Sequence, residues 1–334
     1  MRAVRVAEYG GPEVFHVSDV PRPEPATGEV LIDVAYSGMN FLDVRNRVGR
    51  LSGTLPYTAG VECSGTVAAI GPGVTGLAPG ARVCAVNVAG SHAEQVAADV
   101  RRVVPVPDDI PLETAAAALV QGLTGHYLTH DTYAVQPGDT VLVHAAAGGT
   151  GLMVTQFATL LGARVIGTVS TAEKEKIARE AGATEVLRYG EGLGAAVRAL
   201  TDGRGVAAAY DGVGRATFDA SLESLRARGV LILYGEPSGI VPPFDLTRLV
   251  DGGEVRRTVA RRTDIGSLYV TRPSLVHHIS GPGELHRRAR AVFDAIRGGH
   301  LRAHIGQRYP LGDVVQAYRD LEERRTTGKS LLTL

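Results

Sequence analysis

The feature that most constrains this chain is a glycine turn set between an apolar strand and an apolar helix. Thr140-Val141-Leu142-Val143-His144 reads as a buried strand. Leu152 to Leu161 reads as a helix stopped by Gly162, and between the two runs Ala146-x-Gly148-x-x-Gly151. Glycines at such a turn let the backbone approach a pyrophosphate, whose charge the N–H groups and dipole of the following helix stabilise. Ala146 stands where the usual fingerprint has its first glycine, so the motif is a variant. Its context of strand, tight turn and helix start favours nucleotide binding over a purely structural turn.

The same alternation continues downstream. Arg164 to Val169 is the next strand, and Thr171-Ala172-Glu173-Lys174 opens the next helix. Glu185-Val186-Leu187, Ala207 to Tyr210 and Val230 to Tyr234 extend the series. Repeated β-α-β units predict a parallel sheet covered by helices on both faces. Upstream the pattern differs. Val30 to Val34, Gly65 to Gly71 and Ala81 to Val86 are short β-rich runs separated by Gly/Pro clusters such as Gly71-Pro72-Gly73, which predicts an antiparallel, barrel-like domain. After about residue 275, amphipathic helices over 284–296 and 311–324 precede a closing strand, Ser330 to Leu334. A tail of this kind can return to the first domain.

Composition narrows the functional classes. Lys+Arg and Asp+Glu both total 35, so the net charge is zero, and no long basic run occurs, which argues against binding nucleic acid through its phosphates. No stretch has the length and apolarity of a membrane span, and the N-terminus lacks the apolar core of a secretion signal. Two cysteines, Cys63 and Cys84, cannot build a disulfide framework or a four-Cys zinc site. A cytoplasmic globular protein is expected.

The choice of nicotinamide cofactor turns on the end of the second strand. An NAD site carries Asp or Glu there to accept from the ribose 2′-OH. This strand ends in Thr168-Val169-Ser170-Thr171, with Lys174 one helical turn on. Hydroxyl and cation suit a 2′-phosphate and favour NADPH. Glu173 dissents, and a solvated helix surface is the ordinary alternative for Lys174.

With these residues in view, the sequence resembles the zinc-free medium-chain dehydrogenase/reductases, within them the NADPH:quinone oxidoreductases related to zeta-crystallin. The resemblance runs nearly end to end. It is carried by His144-Ala145-Ala146-Ala147-Gly148-Gly149-Thr150-Gly151, Gly60-Val61-Glu62, Asn40-Phe41-Leu42-Asp43 and Ser267-Leu268-Tyr269-Val270-Thr271-Arg272-Pro273. It implies an α/β protein with a GroES-like β-rich catalytic domain (1–120 and 276–334) and a Rossmann doubly wound parallel sheet domain (121–275). It also implies NADPH in the cleft between them and a homodimer joined through the 267–271 strand. Asn40, Asp43 and Thr124 would then lie at the nicotinamide end, and Gly148, Gly149, Thr150 and Gly151 at the pyrophosphate. Ser170, Lys174, Tyr189 and Arg324 would surround the 2′-phosphate, while Tyr234, Gly235, Ser238, Leu268 and Val270 make further cofactor contacts. Asn40, Asp43 and Tyr57 are the candidate catalytic residues. Ordinary alternatives stand beside these roles: a helix cap for Asp43, strand-end packing for Tyr189, a surface ion pair for Arg324. His144 is expected to pack beneath the glycine turn and His126 to line or neighbour the cleft.

Departures from the relatives shape the expected chemistry. Metal-binding relatives have Gly-His-Glu where this chain has Gly60-Val61-Glu62, and a Cys within the stretch matching Ser37-Gly38-Met39. Valine and glycine cannot ligate zinc, so no metal is expected. Arg45 replaces a tyrosine and alters the substrate mouth. An extra segment around 251–264 brings Arg256, Arg257, Arg261 and Arg262 close after Arg248. This is either a solvated loop or a lid or dock for an acidic partner. The expected reaction is NADPH-dependent reduction of a quinone. The alternatives are reduction of an α,β-unsaturated ketone or thioester, as in polyketide tailoring, with Tyr57 or water giving the proton, and a protein that binds NADPH without turnover.

Overall fold

A computed structural model describes residues 1–51, 54–251 and 266–334. The arginines at 256, 257, 261 and 262 lie outside the described residues. In chain order the first elements are β1 (Arg2–Val6), β2 (His16–Asp19), β3 (Glu29–Gly38), α1 (Phe41–Arg47), β4 (Tyr57–Thr58), β5 (Glu62–Ile70), β6 (Arg82–Val86), β7 (Gln95–Asp99), β8 (Val103–Pro105) and α2 (Leu112–Tyr127). Next come β9 (Thr140–Val143), α3 (Gly149–Leu160), β10 (Arg164–Val169), α4 (Ala172–Glu180), β11 (Glu185–Arg188), α5 (Leu193–Ala199), β12 (Val206–Asp211), α6 (Phe218–Ser224), β13 (Leu225–Leu233), α7 (Arg248–Asp251), β14 (Tyr269–Thr271) and α8 (Leu275–His278). The chain closes with α9 (Glu284–Arg297), β15 (Ile305–Pro310), α10 (Val314–Glu322) and β16 (Lys329–Thr333). Two compact units result, one of residues Met1–Gln121 with Ser280–Leu334, the other of Gly122–Ile279.

The first unit is built on β3. This ten-residue strand is long enough to pair with three partners. Its first half lies against β7, nearly all of it against β5, and its last residues, Tyr36 to Gly38, against β16 from the far end of the chain. The sheet order is β15-β16-β3-β5-β6-β8 with β7 on β3, and β2-β1-β4 form a smaller antiparallel sheet. Alternate residues Val30, Ile32 and Val34 are buried with Val67, Val83 and Val96, the period-two pattern of a strand with one face in a core.

The second unit has a six-stranded sheet in the order β11-β10-β9-β12-β13-β14, parallel throughout. Numbered from β9, this is the 3-2-1-4-5-6 order of the doubly wound dinucleotide fold, whose strand order reverses beside the first strand. Both faces are covered. In β9, Val141 and Val143 join one apolar cluster and Leu142 the other. Such burial explains why these strands read as unbroken apolar runs. The edge strand β14 is three residues long, and Tyr269 on it is exposed.

Candidate functional site

In the second unit, β9 ends at Val143 and the chain turns tightly before α3. Ala145 takes φ +50°, a left-handed conformation unusual for alanine. Gly148 N donates to Ala145 O at 2.8 Å, and Gly148 is the extended cap of α3. A Cβ on Gly151 would collide with the carbonyl of Ala145, which is why that position is glycine. The first-turn amides of Gly149, Thr150 and Gly151 have no acceptor within the helix, and no carboxylate sits in that turn. The cradle therefore fits a pyrophosphate in shape and in charge. His144 is fully buried beneath it, with Nδ1 2.8 Å from Thr168 Oγ1 and Nε2 3.0 Å from Ser221 Oγ. Burial depresses its basicity. Ser221 and Thr217 donate to the buried carboxylate of Asp211, which also accepts from the amides of Val213 and Gly214. These bonds fix the loop after β12.

The end of β10 matches its sequence reading. Ser170 is exposed, and Thr171 caps α4 by accepting from Lys174 N at 3.2 Å. The parallel register pairs Val169 with Arg188, so Tyr189 leaves the same strand edge as Ser170. Tyr189 Oη accepts from Ala145 N at 2.8 Å, which ties this residue to the glycine turn. Glu173 is exposed. Arg188, which the sequence reading passed over, donates to the carbonyl of Thr171 and to Glu175. Arg324 belongs to the first unit, where it follows α10 with φ +61°. Gly235 lies against Gly212, where a Cβ would meet the carbonyl at 2.6 Å. Ser238 Oγ donates to Val213 O and accepts from Ala216 N, so it secures its own loop. Leu268 is buried, its amide bonded to Leu249 O, and Val270 pairs with Leu231. Thr124 lies on α2. His126 is buried and stacks on His130 at 4.0 Å.

In the first unit Asn40 caps α1 and is saturated by protein. Its Nδ2 donates to Gly38 O (3.1 Å) and Glu62 Oε1 (2.8 Å), and its Oδ1 accepts from Gln121 Nε2 (3.0 Å) and Lys329 Nζ (2.9 Å). Lys329 also donates to Met39 O and forms a buried ion pair with Glu62. Sequence reasoning missed this pair because 267 residues separate its members. A side chain at Gly38 would run into Glu62. Among the described residues no three His, Cys, Asp or Glu side chains gather as a metal ion would need.

Asp43 is a capping residue and also a perturbed acid. Its Oδ2 accepts from Asn40 N (2.9 Å) and Tyr318 Oη (2.8 Å), while its buried Oδ1 has no partner among the described residues. Burial pushes this carboxyl up to about 7 although Tyr318, the Asn40 amide and Lys329 pull the other way. Burial, with Lys329, takes His92 down to about 3. The two shifts oppose each other. From pH 3.8 to 7 the folded chain holds a proton on Asp43 that the unfolded chain lacks, so this group's contribution falls as pH rises. From pH 3 to 6.5 the unfolded chain holds a proton on His92 that the folded chain lacks, so that contribution rises. Over the shared window the slopes cancel. Asp43→Asn is expected to unmask the histidine, giving a urea midpoint that climbs between about pH 4 and 6.5 more steeply than in the parent. Tyr57 has a buried hydroxyl without a partner among the described residues, and burial, then the charge of Asp43, raises its phenol to about 12. It is a hydrogen-bond donor at neutral pH and a poor source of protons.

A GroES-like β unit made from both ends of a chain, together with a second unit whose 3-2-1-4-5-6 sheet carries a glycine turn after its first strand, defines a dehydrogenase/reductase of the medium-chain class. Residues 26–108 match the alcohol dehydrogenase GroES-like domain family, and residues 149–268 the family described as zinc-binding dehydrogenase. A quinone oxidoreductase of Pseudomonas aeruginosa is 38% identical, with 99% of each chain covered. A 2-haloacrylate reductase of a Burkholderia species is 35% identical over 99% of this chain and 98% of its own. A mycobacterial protein solved in complex with NADPH superposes with a TM-score of 0.94, at 47% identity and full coverage of both chains. The chain belongs to the quinone oxidoreductase family.

Proposed function

We infer that this protein is an NADPH-dependent quinone oxidoreductase. The observation that carries the reading is the coincidence, in one unit, of the Gly148–Gly151 cradle with a second strand, β10, that is followed by Ser170 and, on α4, by Lys174, and has no carboxylate at its tip. The α3 amides take the pyrophosphate, and Ser170, Lys174 and Tyr189, with Arg324 from the other unit, take the 2′-phosphate. Asn40, Asp43 and Thr124 serve the nicotinamide end. Tyr234, Gly235, Ser238, Leu268 and Val270 supply further cofactor contacts through backbone and packing. NADPH, when bound, supplies a hydride, and a quinone takes it into an aromatic product.

The chain's own residues act by orientation and exclusion of water. Asn40, locked by four bonds, holds the start of α1. Lys174→Ala is expected to weaken NADPH about tenfold or more while leaving NADH affinity nearly unchanged, as measured by calorimetry with both nucleotides. Equal losses would remove Lys174 from the phosphate site.

The 2-haloacrylate reductase relative favours a second reading, in which a conjugated acid, ketone or thioester accepts the hydride. A panel of quinones and enones followed by NADPH absorbance separates the two, and oxidation with enones alone would sink the quinone assignment. We further propose a homodimer through β14, whose outer edge has no neighbouring strand among the described residues and which carries exposed Tyr269. Cytoplasmic residence fits the two free, buried thiols of Cys63 and Cys84. Among the described residues no helix is long and apolar enough to cross a membrane.

A further inference from the structure

The start of α4 is a poor place for a phosphate by its own sequence and a better one in the fold. Its first turn holds Glu173, Lys174 and Glu175, whose formal charges sum to one negative. A carboxylate at a helix N-terminus competes with a bound anion for the same dipole. Glu175 is fixed in that position, since its amide donates to Thr171 O at 3.1 Å, one turn from the cap and the adjoining Ser170.

Two arginines take hold of this carboxylate. Arg179, one turn further along α4, donates from Nε to Glu175 Oε1 at 3.0 Å and from a terminal nitrogen to Thr184 O at 2.9 Å. Arg188, at the end of β11, donates to Glu175 Oε2 at 2.9 Å, and its other terminal nitrogen donates to the carbonyl of Thr171. Each carboxylate oxygen thus has its own guanidinium. With both arginines counted, the group carries one positive charge in place of one negative. The side chains of Glu175, Arg179 and Arg188 are 32%, 45% and 40% exposed, so their charges act through a partly aqueous medium. One unit of charge in such a setting changes the affinity for an anion by roughly three- to tenfold.

The two arginines differ in reach. Arg179 ties Glu175 to the turn before β11, whereas Arg188 bridges Glu175 to the cap itself. The pairing of Val169 with Arg188 sets Arg188 level with the end of β10, and Tyr189, next in the chain, bonds Ala145 N in the glycine turn. One guanidinium therefore joins the cap of α4 to its acidic first turn, in the same corner of the unit as Ser170 and Tyr189. Arg188 is an exposed residue of β11, so core packing gives no reason for its identity.

We propose that Arg188 is a specificity-determining residue for the adenosine 2′-phosphate, a positioning residue that cancels Glu175 and clamps the cap of α4 so that Ser170, Lys174 and Tyr189 receive a phosphate monoester. It acts through Glu175 and Thr171 and not as a phosphate ligand. The inference rests on the NADPH reading above and adds a residue which that reading does not use.

The test compares NADPH and NADH by calorimetry in a series of variants. Arg188→Gln, which leaves Glu175 with one cation fewer, should weaken NADPH about three- to tenfold and leave NADH within about twofold. Higher salt should narrow the gap between that variant and the parent. Arg188→Lys keeps the charge and loses the fork, and should fall between the parent and Arg188→Gln. The double variant Arg188→Gln/Glu175→Gln restores the charge of the parent group, and should bring NADPH affinity back to within about threefold of the parent. Equal losses for both nucleotides in Arg188→Gln would show that the arginine only holds the fold, and would overturn the proposal. So would a double variant no better than Arg188→Gln, the result expected if the guanidinium bound the phosphate itself. A parent that prefers NADPH while Arg188→Gln matches it removes the role of Arg188 alone. A parent that binds both nucleotides equally removes the NADPH reading itself.

Discussion

Lys329→Met is expected to destabilise the first unit by about 3–5 kcal/mol, the cost of leaving a buried carboxylate without its cation. Lys329 is 3% exposed and Glu62 2%. All three ammonium hydrogens are spent, on Met39 O, Asn40 Oδ1 and Glu62 Oε1. Methionine fills most of the volume and supplies none of them. Glu62 would then keep Asn40 Nδ2 as a hydrogen-bond partner but no counter-charge, and Asn40 Oδ1 would lose one of its two donors. The double variant Lys329→Met/Glu62→Gln should cost well below the sum of the two singles, because it removes the charge together with its partner. Urea unfolding measures the totals, and amide exchange over α1 reports whether the helix start loosens. A small effect in Lys329→Met would mean that Asn40, and with it Asp43, is held by some other set of contacts.

Gly151→Ala should abolish tight nucleotide binding, with a loss of about 100-fold or more in NADPH affinity, the equivalent of one or two charge-assisted hydrogen bonds. The added methyl would collide with the carbonyl of Ala145. That carbonyl also accepts from Gly148 N, and Ala145 already sits at positive φ, so the turn has little freedom to yield. Overpacking of this kind also costs about 1–3 kcal/mol of stability. Gly148→Ala is the internal control, since its Cβ would lie 3.2 Å from the same oxygen, tight but short of a collision. Calorimetry on both variants should show a graded response, severe at 151 and mild at 148. Equal affinity in the parent and Gly151→Ala would refute the assignment of the cradle.

What could be read in advance was local or repetitive. The turn from His144 to Gly151 is a contiguous pattern, and the β-α-β series follows from fully buried parallel strands whose apolar runs are visible without their neighbours. The closing strand is likewise legible as a short run holding three leucines, Leu331, Leu332 and Leu334. Helix α1 was harder, because its seven residues open at Asn40 with no long amphipathic run, and Asp43 entered as a helix cap only as the ordinary alternative. The expected 311–324 helix stops at Glu322, and Arg324 adopts φ +61° just past its end. The polar interior of the first unit was illegible for a physical reason. Its members are scattered over 37, 40, 43, 62, 92, 318 and 329, and they meet only where β3 pairs with β5 and β16 and where α10 and the segment before β7 pack beside them. Nothing in the segment around Lys329 marks it as buried, and His92 lies in a stretch with no periodicity. Tyr57 is legible only as one candidate donor beside water, and its surroundings make it a weaker acid than a free phenol.

The joining of β3 to β16, reinforced where Arg47 grips Glu322 with both terminal guanidinium nitrogens, has a consequence for biosynthesis. The Gly122–Ile279 unit is made before the ribosome reaches α9, α10 or β16, whereas β3, made earlier, must wait for β16. During that interval Tyr36, Ser37 and Gly38 present a bare hydrogen-bonding edge, and Arg47 has no carboxylate at position 322 to meet. Deleting Lys329–Thr333 would make that interval permanent, leaving a nascent-like edge open to chaperones, proteases and other copies of the chain.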